Sequence, residues 1–132
     1  MALVIREIHT ASNPELLNDE WLLIENTGPG LLNSSGWSLL VGKQGPRPHQ
    51  MGTLQPGFII NAGEKMRLVT GSPGKKAYGA PPPEGDGVKN YFLFLRKPVL
   101  DHPGLIIHLA FHQLELAHAI YAPDKPNGIA TD

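Results

Sequence analysis

Apolar runs in this chain are short, and turn-forming residues interrupt almost all of them. Thirteen Pro and fifteen Gly are scattered over 132 residues without a period. That excludes a collagen-type repeat and sets many turns. Residues 2–8, 20–26, 37–41, 65–70 and 90–96 read as strands, with Leu31-Leu32 and residues 58–61 as shorter pieces. Between them lie Asn13-Pro14, Asn26-Thr27-Gly28-Pro29-Gly30, Asn33-Ser34-Ser35-Gly36, Gln55-Pro56-Gly57 and Ala62-Gly63-Glu64, each with the chemistry of a turn. Strands at this spacing argue for an all-β sandwich or barrel. Residues 42–52 read as a Gly/Pro loop. Residues 71–88 read as a second, unusually long one, with Pro81-Pro82-Pro83 in polyproline II.

One segment escapes the punctuation. Residues 105–120, LIIHLAFHQLELAHAI, contain no Gly or Pro. They fit a helix of about four turns, and they also fit a hairpin. The hairpin reading puts Leu105, Ile107, Leu109 and Phe111 on one face. A tight loop at His112-Gln113 then returns Leu114, Leu116, His118 and Ile120 to that face, although His-Gln is poor chemistry for a two-residue turn.

The chain has the length of a single domain, and 41% apolar residues suffice for a normal core. The expected division is one domain over residues 1–123 and a loose polar tail over 124–132. Net charge is −1, so no global field draws nucleic acid or an anionic membrane. The absence of Cys removes disulfides, thiolate metal sites and a thiol nucleophile. No apolar stretch approaches the roughly 20 residues of a membrane helix, and the N-terminus is too short in apolar residues for a signal peptide. The expectation is a soluble chain without membrane insertion, cytoplasmic by default and secreted if a leader was trimmed from it.

Candidate chemistry is sparse. On a helix, His108 and His112 would sit at i, i+4 and could share a metal ion, with His118 or Glu115 nearby. On a hairpin with a two-residue loop, His108 and His118 point to opposite faces; with a three-residue loop they lie across from each other. The acidic residues, Glu20 and Glu25 among them, are scattered as solvated charges. Ser34-Ser35-Gly36 lacks the pattern of a nucleophile elbow. Gly71-Ser72-Pro73-Gly74-Lys75-Lys76 lacks the spacing of a phosphate loop. Asp86-Gly87 lacks the ligand series of a calcium loop. Arg47, Lys75, Lys76, Arg96 and Lys97 form at most a weak basic cluster. These observations lead to no catalytic residue, no cofactor and no enzyme. The alternatives are a metal-binding or hydrolytic domain using His108, His112 and His118, or weak nucleic-acid binding.

A resemblance extends over most of the chain. Glu20-Trp21-Leu22-Leu23-Ile24-Glu25-Asn26-Thr27-Gly28 followed by Ser35-Gly36-Trp37-Ser38-Leu39 resembles the lamin tail domain family, in its bacterial form. Leu54-Gln55-Pro56-Gly57, residues 63–69 and residues 99–104 look like later parts of the same pattern. The chain departs from it at Leu23, where the family often has Glu, at Gly104-Leu105, where it often has Gly-Asp, and at Gln113, where it often has Gly. The resemblance implies an immunoglobulin-like β-sandwich of two antiparallel sheets and favours the hairpin over residues 105–120. It further implies a non-catalytic module that binds a protein partner or self-associates, and in some members DNA. Within the second strand, Leu22 and Ile24 share the core face. That leaves Trp21 and Leu23 outward as a candidate contact surface, or as residues covered by the long Pro/Gly loop. With Tyr78 and Pro82 of that loop they make the expected partner surface.

Overall fold

Strand alternation decides which side chains meet between the sheets, and the inward set here is mainly aliphatic, with Trp37 and Tyr121 among it. The computed structural model describes residues 3–43, 47–85, 87–100, 102–112 and 114–130. The expectations that fall on Ala2, Asp86, Gln113 and residues 131–132 lie outside them. The chain is all-β. One sheet has the order β1 (Leu3–His9), β2 (Trp21–Asn26), β7 (Lys65–Val69) and β8 (Val88–Phe92). The second runs β10 (Leu114–Ile120), β9 (Ile106–Phe111), β4 (Trp37–Gly42) and β5 (His49–Thr53). A two-stranded piece pairs β3 (Leu32–Asn33) with β6 (Ile59–Ile60).

The sheets form a sandwich. Leu22, Ile24 and Leu68 from the first meet Leu39, Val41, Ile107 and Leu109 from the second in one buried cluster. Each such side chain contributes about 1.5–3 kcal/mol by leaving water. In β1, Leu3 and Ile5 alternate normally, then a bulge between Ile5 and Glu7 returns Ile8 to the core. The Asn26 turn is built by its own side chain. Its Nδ2 donates to the carbonyls of Gly30 and Ile60 at 2.8 and 2.9 Å, and its Oδ1 accepts from Gly28 N at 3.1 Å.

Residues 105–120 form a hairpin, with His112 in the left-handed region at φ 56°. Its faces differ from the simple expectation. A register shift between Glu115 and Ala117 sends Ala117, Ala119 and Tyr121 to the core. Leu116 and Ile120 are only half-buried, and His118 is exposed. The same shift sets His118 directly across from His108 despite the short turn.

Three further differences have physical causes. Residues 49–52, expected as part of a loop over 42–52, belong to β5 (His49–Thr53), an edge strand whose HQMGT sequence has no alternating apolar pattern and is held by its pairing to β4. The strand expected over 90–96 runs Val88–Phe92 and ends before Phe94, which has φ 56°. It pairs with β7 in parallel, so the first sheet is mixed. Parallel neighbours need a crossover of a dozen or more residues, which accounts for the length of the 71–87 connection. Asn18 anchors that connection: its Nδ2 donates to the carbonyls of Ser72 and Gly79 at 2.9 and 2.8 Å.

Residues 124–130, expected as a loose tail, lie against the sandwich. Asn127 O accepts from Ile8 N at 2.9 Å, and Ala130 N donates to Ile120 O at 2.9 Å. Gly128, at φ 75°, lies so close to the Ile8 carbonyl that any Cβ there would collide with it.

Candidate interaction surface

Trp21 and Leu23 face away from the core, as alternation in β2 requires, and both are half-buried. Their cover comes from neighbouring strands. His9 of β1 pairs with Trp21, and its ring stacks on the indole at 4.7 Å between centroids and 2° between planes. The His9 ring is fixed in turn by a 2.6 Å bond from Nδ1 to the Asp19 carbonyl, in which the imidazole must donate. From the other flank, the Arg67 guanidinium of β7 lies 4.9 Å from the centre of the Trp21 ring, a cation–π distance.

Arg67 links this face to the proline-rich segment. Its Nη1 donates to Asn90 Oδ1 at 2.7 Å. Asn90 Nδ2 donates to Pro82 O at 2.6 Å, and Asn90 N donates to Glu84 Oε2 at 2.7 Å. Pro82 is therefore pinned beside the row Glu7–Leu23–Arg67–Asn90 that crosses the first sheet. Three of the four expected surface residues, Trp21, Leu23 and Pro82, are thus joined through Arg67 and Asn90. Tyr78 belongs elsewhere. It lines a separate cleft of about 430 Å³ with Pro14, Leu17 and Arg96, and the Lys75 ammonium sits 5.7 Å from its ring centre.

The late histidines are arranged by the hairpin. His112 occupies the turn against Phe111, at 4.3 Å between ring centroids, and does not join the other two. His108 and His118 both donate from Nδ1 to Glu115, at 2.5 Å to Oε1 and 3.1 Å to Oε2. Among the described residues, no group of three or more His, Asp or Glu is disposed to hold a metal ion. The hydrogen bond from His108 holds the Glu115 carboxyl below its ordinary value of 4.5, with the charge of His118 assisting. A carboxyl lowered in the fold adds stability above its unfolded pKa and loses it as pH falls through the folded value. Glu115 is half exposed, so solvent screening keeps that contribution small. A carboxyl-carbon NMR titration should place its midpoint below 4.5, and His108→Ala should move the midpoint up toward 4.5. An unchanged midpoint in that variant would show the bond to be inconsequential.

Several residues were not visible as site candidates in the sequence. His9 and Arg67 reach Trp21 only through strand register. Glu20 is buried, not solvated: its Oε1 accepts from Thr70 Oγ1 at 2.7 Å and Val99 N at 2.8 Å, and its Oε2 from Leu100 N at 3.3 Å. Its position two residues before Leu22 places it on the core face, a signal present in the alternation. Phe94, Phe111 and Leu114 are exposed large apolar side chains. The basic residues do not form one patch, since Arg47 and Arg96 line different clefts. No helix among the described residues is long and apolar enough to cross a membrane. No protein-family model matches the chain, and the search of curated proteins returns no match.

Proposed function

We propose that this chain is a non-catalytic interaction module, resembling lamin tail domains in an immunoglobulin-like arrangement, that binds a protein partner through the outer face of its first sheet. The observation that carries this reading is Trp21: an outward, half-buried indole, already ordered by the His9 stack and the Arg67 cation. Trp and Arg are the side chains that most often dominate interface energetics. A ring ordered before binding pays less rotamer entropy on association. Leu23 and the pinned Pro82 extend the apolar area around it. The family resemblance rests on the residues that carry it. Its Ser35-Gly36-Trp37 element suits its place, with Gly36 at φ 85° in the turn and Trp37 buried at the start of β4.

The test is the double variant Trp21→Ser/Leu23→Ser. Affinity capture from the native host identifies a retained protein, which is then purified and titrated against both chains by calorimetry. The variant should keep a cooperative melt and bind at least about 30-fold more weakly, as loss of a 2 kcal/mol hot spot implies. Equal affinity, or loss of the folded state in the variant, would refute the assignment.

A further inference from the structure

A cavity of about 390 Å³ opens at one end of the second sheet, within the ~300–1,000 Å³ range of small-molecule clefts. It lies between the end of β4, the start of β5 and the segment that leads into β9. Its floor is apolar, made by Val41, Met51 and Leu105. Gly42 gives it shape. A Cβ there would stand 2.8 Å from Pro48 Cα, so bare glycine lets the chain entering β5 close over the end of β4. The opposite wall is rigid because the buried Glu20 carboxylate holds the backbone N–H groups of Val99 and Leu100.

Among the described residues, the charged side chains at this cavity are of one sign. Lys43 and Arg47 are exposed at its mouth with His49, and no Asp or Glu lines it among the described residues. An apolar floor under a cationic rim is complementary to a molecule with an apolar body and a single anionic head. The guanidinium fork of Arg47 suits carboxylate or phosphate oxygens, while Lys43 supplies a point charge. We propose that this cavity binds such a small amphipathic anion, its body on Val41, Met51 and Leu105 and its head between Lys43 and Arg47. The site shares no residue with the Trp21 face and does not depend on the partner-binding reading.

The experiment is an NMR titration of the full chain with octanoate, octyl phosphate and octanol as probes. Octanoate or octyl phosphate should give saturable shifts at Val41, Met51 and Leu105, the tighter of the two naming the head group. Octanol should bind on the order of tenfold more weakly or worse, because it lacks the charge-assisted contacts. Lys43→Ala/Arg47→Ala should weaken the anions by a similar factor without changing the melting temperature, since both side chains are exposed. Three results would each overturn the proposal: no saturable shift at those residues up to several millimolar, octanol binding as well as the anions, or full affinity in the double variant.

Discussion

Replacing Glu20 with alanine should destabilise the fold by about 3 kcal/mol and lower the melting temperature by roughly 10 °C. The reason is the number of groups it would abandon. Thr70 Oγ1, Val99 N and Leu100 N all donate to this one carboxylate, which is 1% exposed. A buried donor left without its acceptor costs its desolvation, about 1–3 kcal/mol each before local relaxation. The bonds also span the chain, tying residue 20 to residues 70 and 99–100, so their loss would release the segment before β9 from the sandwich. Glu20→Gln keeps one oxygen acceptor and turns an amide NH₂ toward the donors, so it should fall between the two. Glu25→Gln is the control. Glu25 meets Arg6 at 2.7 Å on the surface, where an ion pair contributes well under about 1 kcal/mol. Thermal and urea denaturation read all three, and hydrogen exchange at Leu100 reports the local release. A Glu20→Ala variant within about 0.5 kcal/mol of the parent would show that the carboxylate is not holding that segment.

The two tryptophans should respond in opposite ways. Trp37 is 4% exposed and packs edge-on against Phe58 at 6.4 Å, which in turn meets Tyr91 at 5.0 Å. Trp37→Ala removes a ring between the sheets and leaves a cavity, at about 3–5 kcal/mol. Against a typical total of about 5–15 kcal/mol this is a large fraction, and partial unfolding at 37 °C is expected. Trp21→Ala removes a half-buried ring, a stack and a cation–π contact on an outer face, which together sum to about 1–2 kcal/mol. Urea denaturation of the two variants measures the difference directly. Equal losses would mean that Trp21 is as much a core residue as Trp37, which is incompatible with its role as a contact residue.

Much of the fold was legible where the local pattern and the tertiary environment agree. Alternation in β2 assigns Leu22 and Ile24 to the core and Trp21 and Leu23 to the outside, and the structure places them so. The turns at Asn26 and Gly36 carry their own chemistry and fall between strands as expected. The pattern fails where the information lies in a partner strand. The sequence of β5 has no apolar period because an edge strand is held by its neighbour's backbone. The inward face of β10 is inverted by a one-residue register shift that no composition announces, and this also brings His118 to His108. The length of the 71–87 connection did not reveal that β8 pairs with β7 in parallel, which requires a long crossover there. Glu20 was misplaced for a different reason. Its charge suggested solvent while its position in the alternation pointed to the core, and a full set of donors let position prevail.

The outer face of the first sheet is most directly tested by NMR titration of the isotopically labelled chain with its purified partner. Contact through this face predicts that signals of Trp21, Leu23, Arg67 and Asn90, with the His9 ring, shift or broaden together. The hairpin around Phe111 and Leu114 should stay unperturbed. Perturbation confined to that hairpin or to the β4–β5 end, with the Trp21 indole signal unmoved at saturation, would contradict it.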